Sequence, residues 1–328
     1  IARKRSENST KTKMARISGK QFDKQIRRRF RNRFGKAVDL PVGPTQLVQC
    51  RKDEIAELAE AVAGEHYPAG IVEPKRIARA KRITMSFGKY GDTFDGMLEH
   101  KAGRFHIFCN LDRAGEGDCP RARFTLAHEL GHYFIDEHRN ALAAGRAPAH
   151  RSQCDYESQN LAEQEADQFA ANLLMPRWRF VDKAESAAPG LAGIISLARE
   201  FGTSLTATAI RYAAADISPC AVVKWNWGSY AWKWLSSSTF TARYRRTVEA
   251  PEKLPPDSPT ARALARETPP ECGYFEAGTT ASAWFPRVKS GEFRDVIFIE
   301  QAIGLGRFGI LTFLFPEGGK RTLRCCLA

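Results

Sequence analysis

The run Phe124-Thr-Leu-Ala-His-Glu-Leu-Gly-His132 is apolar and strongly helix-forming, and it carries an H-E-x-x-H pattern. No other stretch narrows the fold and chemistry of the chain so far. On an α-helix His128 and His132 stand one turn apart on the same face, so both imidazoles can address one metal ion. Glu129 lies about 100° further round the helix, beside the metal rather than on it. That is the place for a general base, because metal coordination brings the pKa of water to about 7 and a nearby carboxylate can take its proton. The pattern predicts a Zn²⁺ site that performs hydrolysis, with a peptide bond as the target.

Such a site needs a third protein ligand. His138 follows His132 at the spacing of the H-E-x-x-H-x-x-G-x-x-H type, but that arrangement turns the chain back at a Gly. Here the position is Ile135, whose branched side chain resists the turn. Glu163 is the better candidate. On a helix it shares a face with Ala166, Asp167, Ala170, Leu173 and Leu174, an otherwise apolar stripe, and a carboxylate there needs a positive partner. Asp167, one turn on, can accept the second N–H of a ligating His and fix its tautomer. The expected ligands are therefore His128, His132 and Glu163, with Glu129 as base and Asp167 orienting a His. His138 is expected to cap helix carbonyls or face solvent, and Glu165 to point with Gln168 and Asn172 toward water. Tyr133 is expected to pack rather than act on substrate.

Two motifs in this order carry a family resemblance. Arg123-Phe-Thr-Leu-Ala-His-Glu-Leu-Gly-His-Tyr133, followed by Glu163-x-x-Ala-Asp-x-Phe-Ala-Ala-x-Leu-Leu-Met-Pro176, resembles the ImmA/IrrE family of bacterial and phage zinc metallopeptidases. The resemblance covers about residues 50–215 and departs from the family in a longer insertion between the second His and the Glu. It implies a minimal thermolysin-like zincin with two His and one Glu on zinc. It further implies a protein substrate, a helix-turn-helix transcriptional repressor whose cleavage switches on DNA-damage or mobile-element genes.

The fold class expected is α+β. A zincin-like metallopeptidase domain, with a three-stranded sheet and the active-site helices, spans residues 37–186. A helix-turn-helix-like segment follows over 187–217, then a C-terminal mixed α/β module over 218–328 that could sense a signal, recognise substrate or mediate a homodimer. The three strands are read at Ile83–Phe87, Phe94–Glu99 and Arg104–Cys109, after a helix over Arg51–Val62. The stretch 104–109 is expected to receive substrate as an added strand. His106, on that strand, is read as structural.

Net charge is +13, but residues 1–36 hold 14 Lys or Arg against Glu7 and Asp23, so the remainder is nearly neutral. This basic arm, with Phe22, Ile26, Phe30 and Phe34 recurring among arginines, could contact nucleic acid through phosphates. It could equally dock on an acidic protein or pack its Phe stripe on the core. No apolar run approaches the roughly 20 residues of a membrane span, no signal-peptide h-region follows the basic start, and the eight Cys lack a C-x-x-C pair. Those features predict a cytoplasmic protein with reduced thiols and no membrane contact.

In the C-terminal region Trp225, Trp227, Trp232 and Trp234 alternate around Gly228-Ser229, which predicts a hairpin with all four on one face, forming core. A further strand is read at Ala281–Phe285. The segment Gly202–Tyr212 resembles the turn and second helix of a helix-turn-helix, but exposes Thr and Ala with Arg211 as its one cation. A structural role, packed on the peptidase, is therefore favoured over DNA reading. The competing reading of the whole chain is a DNA-associated regulator in which zinc is only structural.

Overall fold

The computed structural model describes residues 47–115, 118–146, 150–152, 160–227, 231–238, 240, 254–280, 284 and 296–317, with the side chains of 150–152 and 231–236 outside that description. The basic arm, residues 1–36, lies outside the described residues.

The first part is built around one buried helix. Helix α1 (Gln49–His66) turns Ile55, Ala59, Val62 and Ala63 inward, and the short α2 (Pro74–Ala80) starts at a proline whose fixed φ suits a first helical turn. Three strands follow, β1 (Thr84–Gly88), β2 (Gly96–Lys101) and β3 (Arg104–Asn110). After the single-turn α3 (Leu111–Ala114) comes α4 (Pro120–Phe134), the H-E-x-x-H helix, then α5 (Asp136–Ala143). A three-residue strand, β4 (His150–Ser152), and α6 (Leu161–Leu174) complete this part. Leu126, Ala127, Leu130 and Phe134 of α4 join Leu98, Ile107, Phe169, Ala170, Leu173 and the inner face of α1 in one core.

The expected three-stranded sheet is present and gains β4, giving the order β1-β3-β2-β4. β1 runs parallel to β3, whereas β2 is antiparallel to both β3 and β4. This order overturns one expectation. Residues 106–109 belong to an inner strand, paired with β1 on one side and β2 on the other, so their backbone groups have no edge to offer an added peptide. The strand against the H-E-x-x-H helix is β2, which lies between β3 and the short edge strand β4; β4 pairs with it over Gly96–Leu98.

A second core begins at Met175. Helices α7 (Arg177–Ser186), α8 (Gly190–Phe201) and α9 (Leu205–Ala215) pack on a five-stranded antiparallel sheet of order β6-β5-β9-β8-β7. Its strands are β5 (Ala221–Trp225), β6 (Ala231–Ser236), β7 (Phe275–Thr280), β8 (Ile297–Gly304) and β9 (Ile310–Pro316). Period-two alternation divides the strand residues between two faces. Val222, Leu311 and Phe313 meet α8 and α9. Ala221, Val223, Trp225, Ile310 and Leu314 meet a third cluster with Phe240, Trp284 and Ala263 of α10 (Pro259–Leu264).

The helix-turn-helix-like segment folds as a turn at Gly202, in the left-handed region at φ 63°, followed by α9 capped by Ser204. Thr208, expected on the surface, is fully buried and bonds Thr203 and the Ser204 carbonyl. Arg211 is tucked toward Glu60 at 3.7 Å, and burial lowers its pKa to about 10. α9 thus packs chiefly on the C-terminal sheet rather than on the peptidase part, with little surface left to read DNA.

Trp225 and Trp227 do not share a strand. Trp225 is buried and donates to Thr312; the β5–β6 register shifts at Lys224/Trp225, Trp225 is the last paired residue of β5, and Trp227 stands in the following turn. The side chains of Trp232 and Trp234 lie outside the described residues. β7 at Phe275–Thr280 was not expected, because Ala277-Gly278 is a poor strand former that pairing with β8 overrides. The strand read at Ala281–Phe285 falls mostly outside the described residues, and Trp284 there is helical.

Candidate metal centre

Two helices bring the site together. α4 starts at Pro120, runs through both His and ends where Ile135 takes an extended conformation (φ −73°, ψ 113°). Its residue Gly131 rests directly on α6: a Cβ there would lie 3.1 Å from the Ala166 Cα and 3.2 Å from its carbonyl oxygen. That close approach sets Glu163, one turn before Ala166, beside His132. Arg123 anchors the other end of α4 by donating to Glu73, the Val72 carbonyl and the Gly202 carbonyl at 2.7, 2.5 and 3.1 Å.

His128, His132 and Glu163 are all buried, and one ligating atom from each lies within 4.8 Å of the others. The two Nε2 atoms are 3.2 Å apart, and the Glu163 carboxylate oxygens lie 3.4 Å from His128 Nε2 and 3.1 Å from His132 Nε2. An ion bonded tetrahedrally at about 2.0–2.1 Å sets its ligands about 3.3–3.4 Å apart, so these separations fit the edges of such a shell. The three residues could hold a metal ion.

The electrostatics favour a cation. Burial by itself disfavours the imidazolium of His128, but the Asp167 and Glu163 carboxylates outweigh it and hold its pKa well above the ordinary value. Burial dominates at His132 and pushes it down to about 3 despite Glu163. Glu163, which burial would raise, is held well below the usual carboxylate range by the two imidazoles. The cluster therefore sets an anionic carboxylate between two buried imidazoles.

Glu129 is fully buried and lies against Gly96 of β2, where a Cβ would come within 2.5 Å of its Oε1. Asp167 Oδ1 is 2.8 Å from His128 Nδ1, at the ring nitrogen facing away from the cluster. Of the five residues expected at the site, His128, His132 and Glu163 lie within bonding distance of one another, Asp167 bonds His128, and Glu129 lies on the helix of the two histidines against Gly96. Tyr133 packs edge-on against Phe105, and His106 lies on the sheet between Thr84 and Ser86.

Two residues stand where the sequence reading did not put them. His138 neither caps carbonyls nor faces solvent: its Nδ1 is 3.1 Å from His132 Nδ1 and its Nε2 is 3.0 Å from Glu165. Glu165 points into the protein, where Arg51 of α1 donates to both its oxygens at 2.9 and 3.0 Å. The cause is that α6 is covered on two sides, by α4 and by α1, so the face expected to be wet is a second helix contact that also buries Asn172. Ile135 explains His138. The extended residue bends the chain without a left-handed turn, and α5 then comes back alongside the end of α4.

Residues 118–212 match the model of the IrrE N-terminal-like domain, a peptidase family. The matched segment runs from the loop before α4 through most of α9, and so contains every residue of the centre; the resemblance to the ImmA/IrrE family rests on this segment. Among solved structures, a Mycobacterium tuberculosis transcriptional regulator superposes with a TM-score of 0.48 at 13% identity, over 89% of this chain and 80% of that one. No curated protein matches the chain. Among the described residues, no helix is long and apolar enough to cross a membrane.

Proposed function

We propose that this chain is a zinc-dependent endopeptidase of regulatory type that cleaves a protein substrate, a helix-turn-helix transcriptional repressor. The observation that carries the reading is the placement of Glu129, a fully buried carboxylate one residue along the helix from His128, close enough to act on its charge, and turned against Gly96 of β2 rather than joining the His128, His132 and Glu163 cluster. A structural metal site has no use for a buried acid that stands beside the ligands without joining them. Zinc, when bound, supplies Lewis-acid polarisation of a carbonyl and makes water acidic enough to lose a proton near neutral pH.

The chain's own groups supply the rest. Glu129 accepts the proton of the attacking water at its carboxylate and returns it to the departing amine nitrogen, a transfer that its burial beside Gly96 favours by keeping bulk water away. Asp167 accepts from Nδ1 of His128 and so keeps the Nε2 lone pair directed at the cluster. A substrate backbone adds alongside β2 at Gly96–Leu98 by displacing the three-residue β4, which brings its carbonyl next to Glu129. The family match supports the peptidase reading; the repressor substrate follows the ImmA/IrrE resemblance. In this reading residues 37–186 are the catalytic domain, and 187–217 and 218–328 are modules that present the substrate or pair two copies. The basic arm serves partner or nucleic-acid contact, and the enzyme works in the cytoplasm.

The test is Glu129→Gln in the full chain, with zinc content and cleavage of candidate repressors measured side by side. The expected result is one zinc per chain and cleavage reduced at least a hundredfold, general-base assistance being worth about 10²–10⁴-fold. Equal cleavage by wild type and variant would overturn the assignment.

A further inference from the structure

We infer that His138, backed by Glu165 and Arg51, is a positioning residue for the metal centre: it accepts the Nδ1 proton of His132 and so fixes the tautomer and ring orientation in which His132 can bind a metal. The inference rests on the metal-site reading given above and extends it to residues that reading does not use.

The polarity of the chain of bonds follows from the site end. A neutral imidazole that offers its Nε2 lone pair to a cation must carry its proton on Nδ1. His132 Nδ1 then donates, and the atom 3.1 Å away, His138 Nδ1, must accept. The His138 proton is thereby placed on Nε2, which stands 3.0 Å from Glu165, an acceptor. Glu165 in turn receives two bonds from the Arg51 guanidinium, with further ion pairs from Arg51 to Glu54 and Glu137. Every donor meets an acceptor in one direction only. Reversing it would put a proton on His132 Nε2 and remove the lone pair from the cluster.

The two histidines are thus held by different means. His128 meets a carboxylate directly, Asp167 at 2.8 Å. His132 meets a second imidazole, which passes the demand on to a carboxylate fixed from another helix. The side chains of His138 and Glu165 are 11% and 13% exposed, so water competes weakly for these bonds. One further consequence is that α1, which contributes no ligand, takes part in holding the site through Arg51.

The experiment measures zinc affinity by chelator competition and the absorption spectrum of the cobalt-substituted protein, for wild type, His138→Leu, His138→Gln and His128→Ala, with thermal unfolding of each metal-free form as the check on folding. Gln can accept through its carbonyl oxygen and donate through its amide, as His138 does, whereas Leu fills space and does neither. The expected result is zinc binding weakened 10–100-fold in His138→Leu, with an altered cobalt spectrum, and largely restored in His138→Gln. Three results would overturn the inference. Wild-type affinity in His138→Leu would mean that the contact is incidental. Equal loss in His138→Leu and His138→Gln would mean that His138 binds the metal itself or acts by shape. Unchanged zinc binding in His128→Ala would sink the metal-site reading and this inference together, and is told apart from the others because that variant leaves His138 untouched.

Discussion

Replacing Gly131 by Ala tests whether the contact between α4 and α6 sets the geometry of the centre. A methyl added at Gly131 would stand 3.1 Å from the Ala166 Cα, 3.2 Å from the Ala166 oxygen and 3.2 Å from the Phe169 Cβ. Carbon atoms sit comfortably at about 3.5–4.0 Å, so the helices must part by roughly 0.4 Å. The obstacle is backbone and a fully buried Phe169 stacked on Phe134, neither of which can swing aside. Ala in mid-helix is favoured over Gly by about 1 kcal/mol, while overpacking costs about 1–3 kcal/mol. The balance is a net loss of about 1 kcal/mol in the metal-free protein. Zinc affinity should fall further, because the separation carries Glu163 away from His132, now 3.1 Å apart; a tenfold loss corresponds to about 1.4 kcal/mol. Urea unfolding of the metal-free form and chelator competition measure the two quantities. A more stable variant with wild-type zinc affinity would show that the helices yield freely and that the contact sets nothing.

Three further outcomes follow from individual contacts. Gly96→Ala should push Glu129 aside and lower peptide cleavage by about a hundredfold, the scale expected for a displacement near 1 Å, with zinc content unchanged; loss of zinc instead would mean that Gly96 supports the ligands rather than the base. Asp167→Ala, which removes the acceptor at His128 Nδ1, should weaken zinc binding about 10–100-fold in a chelator titration, and an unaltered affinity would count against its orienting role. In the C-terminal sheet Glu300 accepts from the Thr260 N–H and hydroxyl and from Trp284 Nε1 while fully buried. Glu300→Ala should therefore lower the stability measured by urea unfolding by roughly 2–6 kcal/mol, the Thr260 N–H and Trp284 Nε1 being orphaned at about 1–3 kcal/mol each while the Thr260 hydroxyl keeps Thr312; a change under half a kcal/mol would refute the network's importance.

The parts of the centre that were legible in the sequence are those fixed by helical period alone. His128 and His132 share a face because they are four apart, and Glu163 and Asp167 share another for the same reason. Glu165 and His138 were misread because their environment is decided by what packs on the far side of α6 and by a bend at Ile135, neither of which a single helix can reveal. The strands β1, β2 and β3 are marked by alternation and turn residues, but their order is not. The order places β3 inside the sheet and leaves the edges to β1 and β4. β7 carries no strand signal of its own, because Ala277-Gly278 is a weak strand former and its partner supplies the ladder. The left-handed turn at Gly202 was readable, since few residues other than Gly take that conformation cheaply. The burial of Thr208 and Arg211 was not, because it depends on a sheet that follows later in the chain.

The most direct measurement is diffraction from crystals of the zinc-reconstituted protein at the zinc absorption edge. The account predicts a single anomalous peak bonded to His128 Nε2, His132 Nε2 and a Glu163 oxygen at about 2.0–2.2 Å, with Glu129 near the ion but not bonded to it and His138 behind His132. A peak that includes His138 or Glu129 among its ligands, or no peak among these residues in well-ordered zinc-loaded crystals, would contradict it.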